Sequence, residues 1–248
     1  MSTLDSEIKP SKLKSTLNWL TDALFPRRFL KCGYFDTWLC FKCLSELQFK
    51  RQLHCPACTI ATTIGEFCNN CKTSHFLNGV WSAQPYGNKL IKQLIHDLKF
   101  EYISEIADHL GHLMVVALQT FTLPPAWHAI PKDKWQLVPI PLANNRLRKR
   151  GYNQALKLSE KVSAEMNLEI IEILERTRDT LQQSKLAPEL KNTNLKNAFQ
   201  IKSGINLNGG AFILVDDVYT SGATLEEAAR ILKQAGASEV WGLTAAYG

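Results

Sequence analysis

The stretch Phe212-Ile213-Leu214-Val215-Asp216-Asp217, followed within two residues by Thr220-Ser221-Gly222-Ala223-Thr224, restricts the fold more than any other segment of the chain. Four consecutive apolar residues suit a strand buried on both faces, as in a parallel sheet covered by helices. A helix is specified directly afterwards. Leu225, Ala228, Ala229 and Leu232 give an apolar stripe, Glu226 and Glu227 lie in the first turn, and Lys233 and Gly236 mark the end. The N-terminus of such a helix offers unpaired N–H groups to an anion, and Gly222 and Ala223 let that anion approach the backbone. Thr220, Ser221 and Thr224 add hydroxyl donors. A monophosphate fits this cradle.

Asp216 and Asp217 sharpen the assignment. Adjacent carboxylates at the carboxyl end of a buried strand repel each other and resist desolvation. They make sense if sugar hydroxyls or a divalent cation share the cleft in which open α/β sheets bind ligands. Phosphate on one side and an acid pair on the other describe a ribose 5-phosphate site. A Walker loop would need Gly-x4-Gly-Lys-Ser/Thr, which is absent. A dinucleotide fold would need its glycines after the strand, yet Gly209-Gly210 precede it. A receiver domain would need a distant aspartate and lysine, for which too little chain follows Asp217.

Upstream, alternating apolar periods predict an α/β order. Leu90, Ile91, Leu94, Ile95 and Leu98 mark one helix face, and a second helix covers about 104–118. Strands are expected at 135–140, 169–174, 212–215 and 240–246, with helices at 153–165 and 224–234. Gly79 to Gly87 reads as a turn-rich joint, 177–194 as a polar connector or lid, and 1–25 as an amphipathic helix.

All seven cysteines fall between positions 32 and 71, and six form Cys-x2-Cys pairs. Such turns aim two thiolates at one point, and two turns make the tetrahedral sulfur cage that zinc prefers. Cys55, Cys58, Cys68 and Cys71 form a complete set. Cys32, Cys40 and Cys43 lack a fourth ligand unless His54 supplies it. A metal here is expected to be structural, stapling a segment too short to bury much surface. A disulfide framework is not expected, because no secretory leader is evident and the cytosol keeps thiols reduced. No apolar run reaches the roughly 18 residues needed to span a bilayer. The expected location is the cytoplasm, at most peripheral to the inner face of the membrane, without stable membrane insertion.

Charge is localised. Residues 131–202 carry 14 Lys+Arg against 8 Asp+Glu, which matches the net +6 of the whole chain. A basic span of this kind suits phosphates or nucleic acid.

Phe212–Thr224 resembles the diphosphate-sugar (PRPP) signature of type I phosphoribosyltransferases. Together with VPIPLANNRLRKRGYNQ (138–154), NLKNAF (194–199) and the cysteine pairs, nearly all of residues 29–247 resembles the ComF/GntX family. The resemblance implies an α/β fold: a type I phosphoribosyltransferase-like parallel sheet with an N-terminal zinc-ribbon-like module. The implied division is an N-terminal helix (1–28), a cysteine-rich zinc-binding module (29–78), a helical hood or linker (79–131) and the phosphoribosyltransferase-like domain (132–248). Asp216 and Asp217 would face the ribose hydroxyls and Mg²⁺, and Thr220–Thr224 would hold the 5-phosphate. Arg146, Arg150 and Gly151 would approach the diphosphate, with Arg150 grouped with the acid pair as catalytic. The family resemblance also implies a role in natural transformation, with single-stranded DNA and DNA-uptake or recombination proteins as partners. Two departures stand out. Phe29 occupies the place of the first cysteine of another pair, and Thr220 that of an aspartate acid/base in purine-salvage relatives. The residues leave open whether the site turns over PRPP or only binds it. Tyr152, Tyr219, Trp81 and Phe100 are candidate stacking faces for bases.

Overall fold

A computed structural model describes residues 38–39, 41–47, 53–121, 123–177, 195–205, 207 and 209–248. The chain divides into two compact units, 1–47 and 48–248. The described residues of the first unit include the short helix α1 (Phe41–Ser45), which carries the buried Cys43. Cys32, Cys40, the expected N-terminal helix and most of the 177–194 connector lie outside the described residues.

The second unit begins with the two-residue strands β1 (Leu53–His54) and β2 (Ala61–Thr62), paired antiparallel. The five-stranded sheet that follows is parallel throughout. Its order is β3 (Gly79–Pro85), β9 (Glu239–Tyr247), β8 (Ala211–Tyr219), β4 (Trp135–Pro139) and β5 (Glu169–Ile170). Helices α2 (Lys89–His96), α3 (Ile106–Thr120), α4 (Pro125–Ala129), α5 (Asn144–Arg150), α6 (Gln154–Met166) and α7 (Ala223–Gln234) link the strands.

Strand β8 holds the centre, and Phe212–Val215 are almost wholly buried. Phe212 and Leu214 pack with Leu225, Ala228, Ala229 and Leu232 of α7. Alternation turns Ile213 and Val215 to the other face, where α3 and α6 lie against each other and the sheet. That two-sided cover is what the unbroken apolar run required.

Three expectations are corrected. Gly79–Pro85 is a strand of the sheet, not a joint. Gly79 serves close approach rather than a turn, since a Cβ there would sit 2.4 Å from the Trp241 ring. The expected 169–174 strand is split. Glu169–Ile170 stays in the sheet, while β6 (Leu174–Arg176) pairs antiparallel with β7 (Phe199–Ile201). Finally, β8 runs on to Tyr219, so the acid pair lies within the strand and not after it. No helix among the described residues is long and apolar enough to cross a membrane.

Candidate functional site

Strands β8 and β4 are neighbours, so the segments that leave their carboxyl ends meet over one cleft of about 510 Å³. Asp216, Asp217, Thr220 and Thr224 line it from β8 and the following loop, and Arg146, Lys149 and Arg150 from α5. Lys99, Phe100 and Tyr102 enter from a π-helical turn (Asp97–Glu101), and Arg176 from β6. Five cationic side chains thus surround two carboxylates. An excess of this kind favours a polyanion over a neutral ligand.

The acid pair sits on adjacent positions near the end of one strand, and both residues line the cleft. The Asp217 N–H donates to Asp216 Oδ1 at 2.9 Å. Burial, followed by the neighbouring Asp217 charge, pushes the Asp216 carboxyl up to about 7; Lys99 and the Asp217 N–H work against that rise. Asp217 is 3% exposed. Its Oδ1 meets the Lys99 ammonium at 2.7 Å, while its buried Oδ2 has no hydrogen-bond partner. An unsatisfied carboxylate oxygen beside a second carboxylate is a donor set that fits a hard divalent cation.

Lys99 was not visible as a site residue in the sequence. The Asp97–Glu101 turn holds it in place. Gln93 Nε2 donates to Asp97 Oδ1 at 2.8 Å, the Ile103 N–H reaches the Asp97 carbonyl at 3.4 Å, and Tyr102 takes a left-handed φ of 60°. Tyr152 Oη donates to the Leu98 carbonyl, tying this turn to the loop that follows Arg150. π-Turns recur at functional positions. The available signal was a basic residue followed by two aromatics (Lys99, Phe100, Tyr102) just past an amphipathic helix.

Arg150 donates to Gln154 Oε1, and Asn153 fastens the loop through Nδ2 to the Ile140 carbonyl at 3.0 Å. Burial lowers the Arg150 pKa and Asp217 raises it, with the lowering dominant. Gly151 does not line the cleft. It ends α5 with φ +81°, and its N–H donates to the Leu147 carbonyl at 2.8 Å. Arg148 is exposed and does not line the cleft, whereas Lys149 does.

The hydroxyl-rich loop 220–224 is divided. Thr220 and Thr224 face the acid-pair cleft, while Ser221, Gly222 and Ala223 line a smaller cavity on its other side. Gly222 is the N-cap of α7 with φ +74° and no side-chain cap. A Cβ there would lie 2.5 Å from Tyr219 Oη. The first turn of α7 therefore keeps its N–H groups free of side-chain caps. Among the suggested stacking faces, Trp81 is fully buried against Trp241 at 4.6 Å, and Tyr152 and Tyr219 are half-buried. Phe100 remains, 44% exposed at the cleft.

In the cysteine module the side chains of Cys55, Cys58, Cys68 and Cys71 lie with all Sγ atoms within 4.8 Å of one another. A tetrahedron with zinc–sulfur bonds near 2.3 Å needs sulfurs about 3.8 Å apart, and Cys58 Sγ lies 3.6 Å from Cys68 Sγ. Burial raises the Cys55 pKa, but N–H groups of Cys68, Ala57 and Cys58 outweigh it and bring the thiol down to about 6. Hydrogen bonding with Cys68 and then Cys58 drives Cys71 up to about 12. Thiols that suppress each other's ionisation in this way are relieved by a cation, so the four can bind a metal such as zinc. His54 is exposed on β1.

A parallel sheet with an acid pair and a hydroxyl-rich loop at the carboxyl end of its central strand defines a phosphoribosyltransferase-type domain. Residues 136–246 match the phosphoribosyl transferase domain family. The chain is 32% identical over 229 residues to DNA utilization protein YhgH of Escherichia coli K12, covering 82% of this chain and 95% of that protein. It is 27% identical to Competence protein F of Haemophilus influenzae (86% and 99% covered) and 26% identical to Competence protein ComFC of Streptococcus pneumoniae (83% and 86%). The chain belongs to the ComF family.

Proposed function

We propose that the chain is a ComF-like competence protein that handles incoming single-stranded DNA during natural transformation and binds PRPP or a related phosphoribosyl ligand in its acidic-basic cleft. The relatives' names support the competence role, and the phosphoribosyl transferase match supports the ligand class. One observation carries the ligand reading. A buried carboxylate with an unsatisfied Oδ2 stands at the carboxyl end of the central strand, surrounded by cations, with an open helix N-terminus next to it.

In this reading Asp216 and Asp217 accept hydrogen bonds from the ribose hydroxyls and hold Mg²⁺ with the ligand. Mg²⁺ would neutralise diphosphate charge. Thr220 and Thr224 donate to the 5-phosphate together with the first-turn N–H groups of α7. Arg146 and Arg150 grip the diphosphate, because guanidinium forks pair bidentately with phosphate oxygens. Zinc in the cysteine cage staples the module. DNA follows the α5 side, where Arg146, Arg148, Lys149 and Arg150 form one basic stretch, with Phe100 as a stacking face. Work at the inner face of the membrane beside uptake or recombination proteins fits this role.

The alternative is a PRPP-dependent transferase. It is favoured by a second cavity of about 410 Å³ that shares Thr220 with the cleft and is lined by Val80, Pro85, Phe121 and Tyr247. A ring-bearing acceptor fits there, but Thr220 supplies no acid/base group.

Calorimetry with PRPP and Mg²⁺ tests the reading. Binding is expected for the wild type, its loss in Asp216→Asn/Asp217→Asn and strong weakening in Arg146→Ala/Arg150→Ala. Arg148→Ala leaves PRPP binding intact and weakens single-stranded DNA binding, whose affinity falls steeply with salt. No heat with wild type at millimolar PRPP overturns the ligand assignment, and a flat salt response overturns the DNA assignment. Loss of transformation in the double aspartate variant, with no pyrophosphate released by wild type, decides against the transferase.

A further inference from the structure

We propose that Glu226 is a positioning residue through which the cysteine cluster sets the phosphate loop, so that metal occupancy and phosphoribosyl affinity are coupled. The ligand half of this statement rests on the proposed function. Glu226 lies in the first turn of α7, and its N–H donates to the carbonyl of Gly222 at 2.9 Å. Its carboxylate points away from the acid-pair cleft. Oε1 accepts the Phe76 N–H, and Oε2 lies 3.5 Å from His75 Nδ1.

Both partners belong to the segment that closes the metal cluster. The Cys68 carbonyl accepts the N–H groups of Cys71 and Lys72, each at 2.9 Å, and the His75 N–H reaches the Lys72 carbonyl at 3.4 Å. The His75 ring stacks on Phe67, next to Cys68, with centroids 4.1 Å apart and planes 19° apart. A continuous path of hydrogen bonds and one stacked pair thus runs from Cys68 to the turn that starts α7. The outer side of the loop faces a cavity of about 220 Å³, lined by Ser74, His75, Phe76, Ser221 and Gly222, rather than packed side chains. The Glu226 contacts cross that gap.

A carboxylate free in the first turn of α7 would compete with a bound phosphate for the same N–H groups. Tethering it to Phe76 and His75 removes the competitor and fixes the turn. When the cluster loses its metal, the four cysteines lose what holds them together. Lys72–Phe76 then loses its anchor, and Glu226 is released. By linkage the effect is reciprocal: ligand at the loop must tighten metal at the cysteines by the same factor.

The experiment compares full-length protein loaded with zinc and stripped by chelator, as wild type, Glu226→Ala and Glu226→Gln. Hydrogen exchange at the Ser221–Glu226 amides is expected to speed up about tenfold on stripping the wild type, a factor within the usual range of such couplings. The loaded Glu226→Ala protein should already exchange fast and change little on stripping. Gln keeps an acceptor for the Phe76 N–H and should behave as wild type. PRPP with Mg²⁺ should slow zinc release to chelator in wild type and Gln, but not in Ala. If Ala and Gln both tighten PRPP binding, Glu226 acts only as a repelling charge and the proposal fails. It also fails if exchange at the loop ignores the metal. If exchange responds to metal but PRPP does not bind, the coupling stands and the ligand reading falls.

Discussion

Lys99 and Asp217 provide the most direct test of how the cleft is held before a ligand arrives. At 2.7 Å two unit charges attract by roughly 6 kcal/mol in a medium of effective permittivity about 20. Desolvation offsets much of this, since Asp217 is almost wholly buried and each buried ion costs several kcal/mol. Removing one partner of a buried pair generally destabilises by about 3–5 kcal/mol. The Lys99 side chain stays 24% exposed, which places Lys99→Met near the low end, about 3 kcal/mol. Asp217→Asn should cost about 1 kcal/mol, because the freed ammonium can turn to water. The double variant should resemble Asp217→Asn, giving a coupling of about 3 kcal/mol. Urea denaturation of the four proteins at neutral pH and low salt measures it. For a unit of this size the single Lys99→Met change lowers Tm by about 6–10 °C. A coupling below about 0.5 kcal/mol would refute the view that Lys99 neutralises the buried acid.

Other consequences follow from the same geometry. Asp216 is raised to about 7, so the folded state binds this proton more tightly than the unfolded chain. Stability should therefore decline as pH rises from about 4 to about 7, and Asp216→Asn should flatten that segment of the pH–stability curve. Divalent-cation binding should correspondingly release a proton near neutrality, read as a buffer-dependent heat in calorimetry. Gly222→Ala places a Cβ against Tyr219 at a left-handed φ; it should cost about 1–3 kcal/mol and abolish ligand binding. Cys71, raised to about 12, and Cys58, also raised, are thiols at pH 7 in the metal-free chain, because Cys68 and Cys55 crowd them. Zinc uptake should expel more than one proton per metal, measurable with a pH indicator; uptake without proton release would exclude thiolate coordination.

The identity of the central strand, the acid pair and the hydroxyl-rich loop could be read from 212–224 because each is local. Apolar run, carboxylates, hydroxyls and helix stripe follow one another in the chain, and one backbone turn brings them together. The four-cysteine set was legible for the same reason, as its two Cys-x2-Cys turns set their own geometry. Gly79–Pro85 was not legible. Its glycine and its Pro-Tyr-Gly end look like turn signals, and only the neighbouring Trp241 shows that Gly79 makes room for a ring. Trp81 looked like a stacking face for the same reason: nothing in the sequence says that Trp241 and the Ile64 carbonyl already occupy it.

The sequence alone settled that a parallel α/β sheet would carry an acid pair and a hydroxyl-rich loop on one buried strand and that a set of four close cysteines would precede it, since short-range chemistry determines both. The tertiary structure decided which cations meet the acids. Lys99 and Asp217 are separated by more than a hundred residues, and their 2.7 Å contact exists only because β3 and β8 lie in one sheet and a π-turn faces its carboxyl edge. It also decided that Thr220 and Thr224 line the cleft while Ser221, Gly222 and Ala223 face a cavity shared with Ser74–Phe76. A residue's partners across a fold depend on strand order and crossover paths, and no local pattern encodes these.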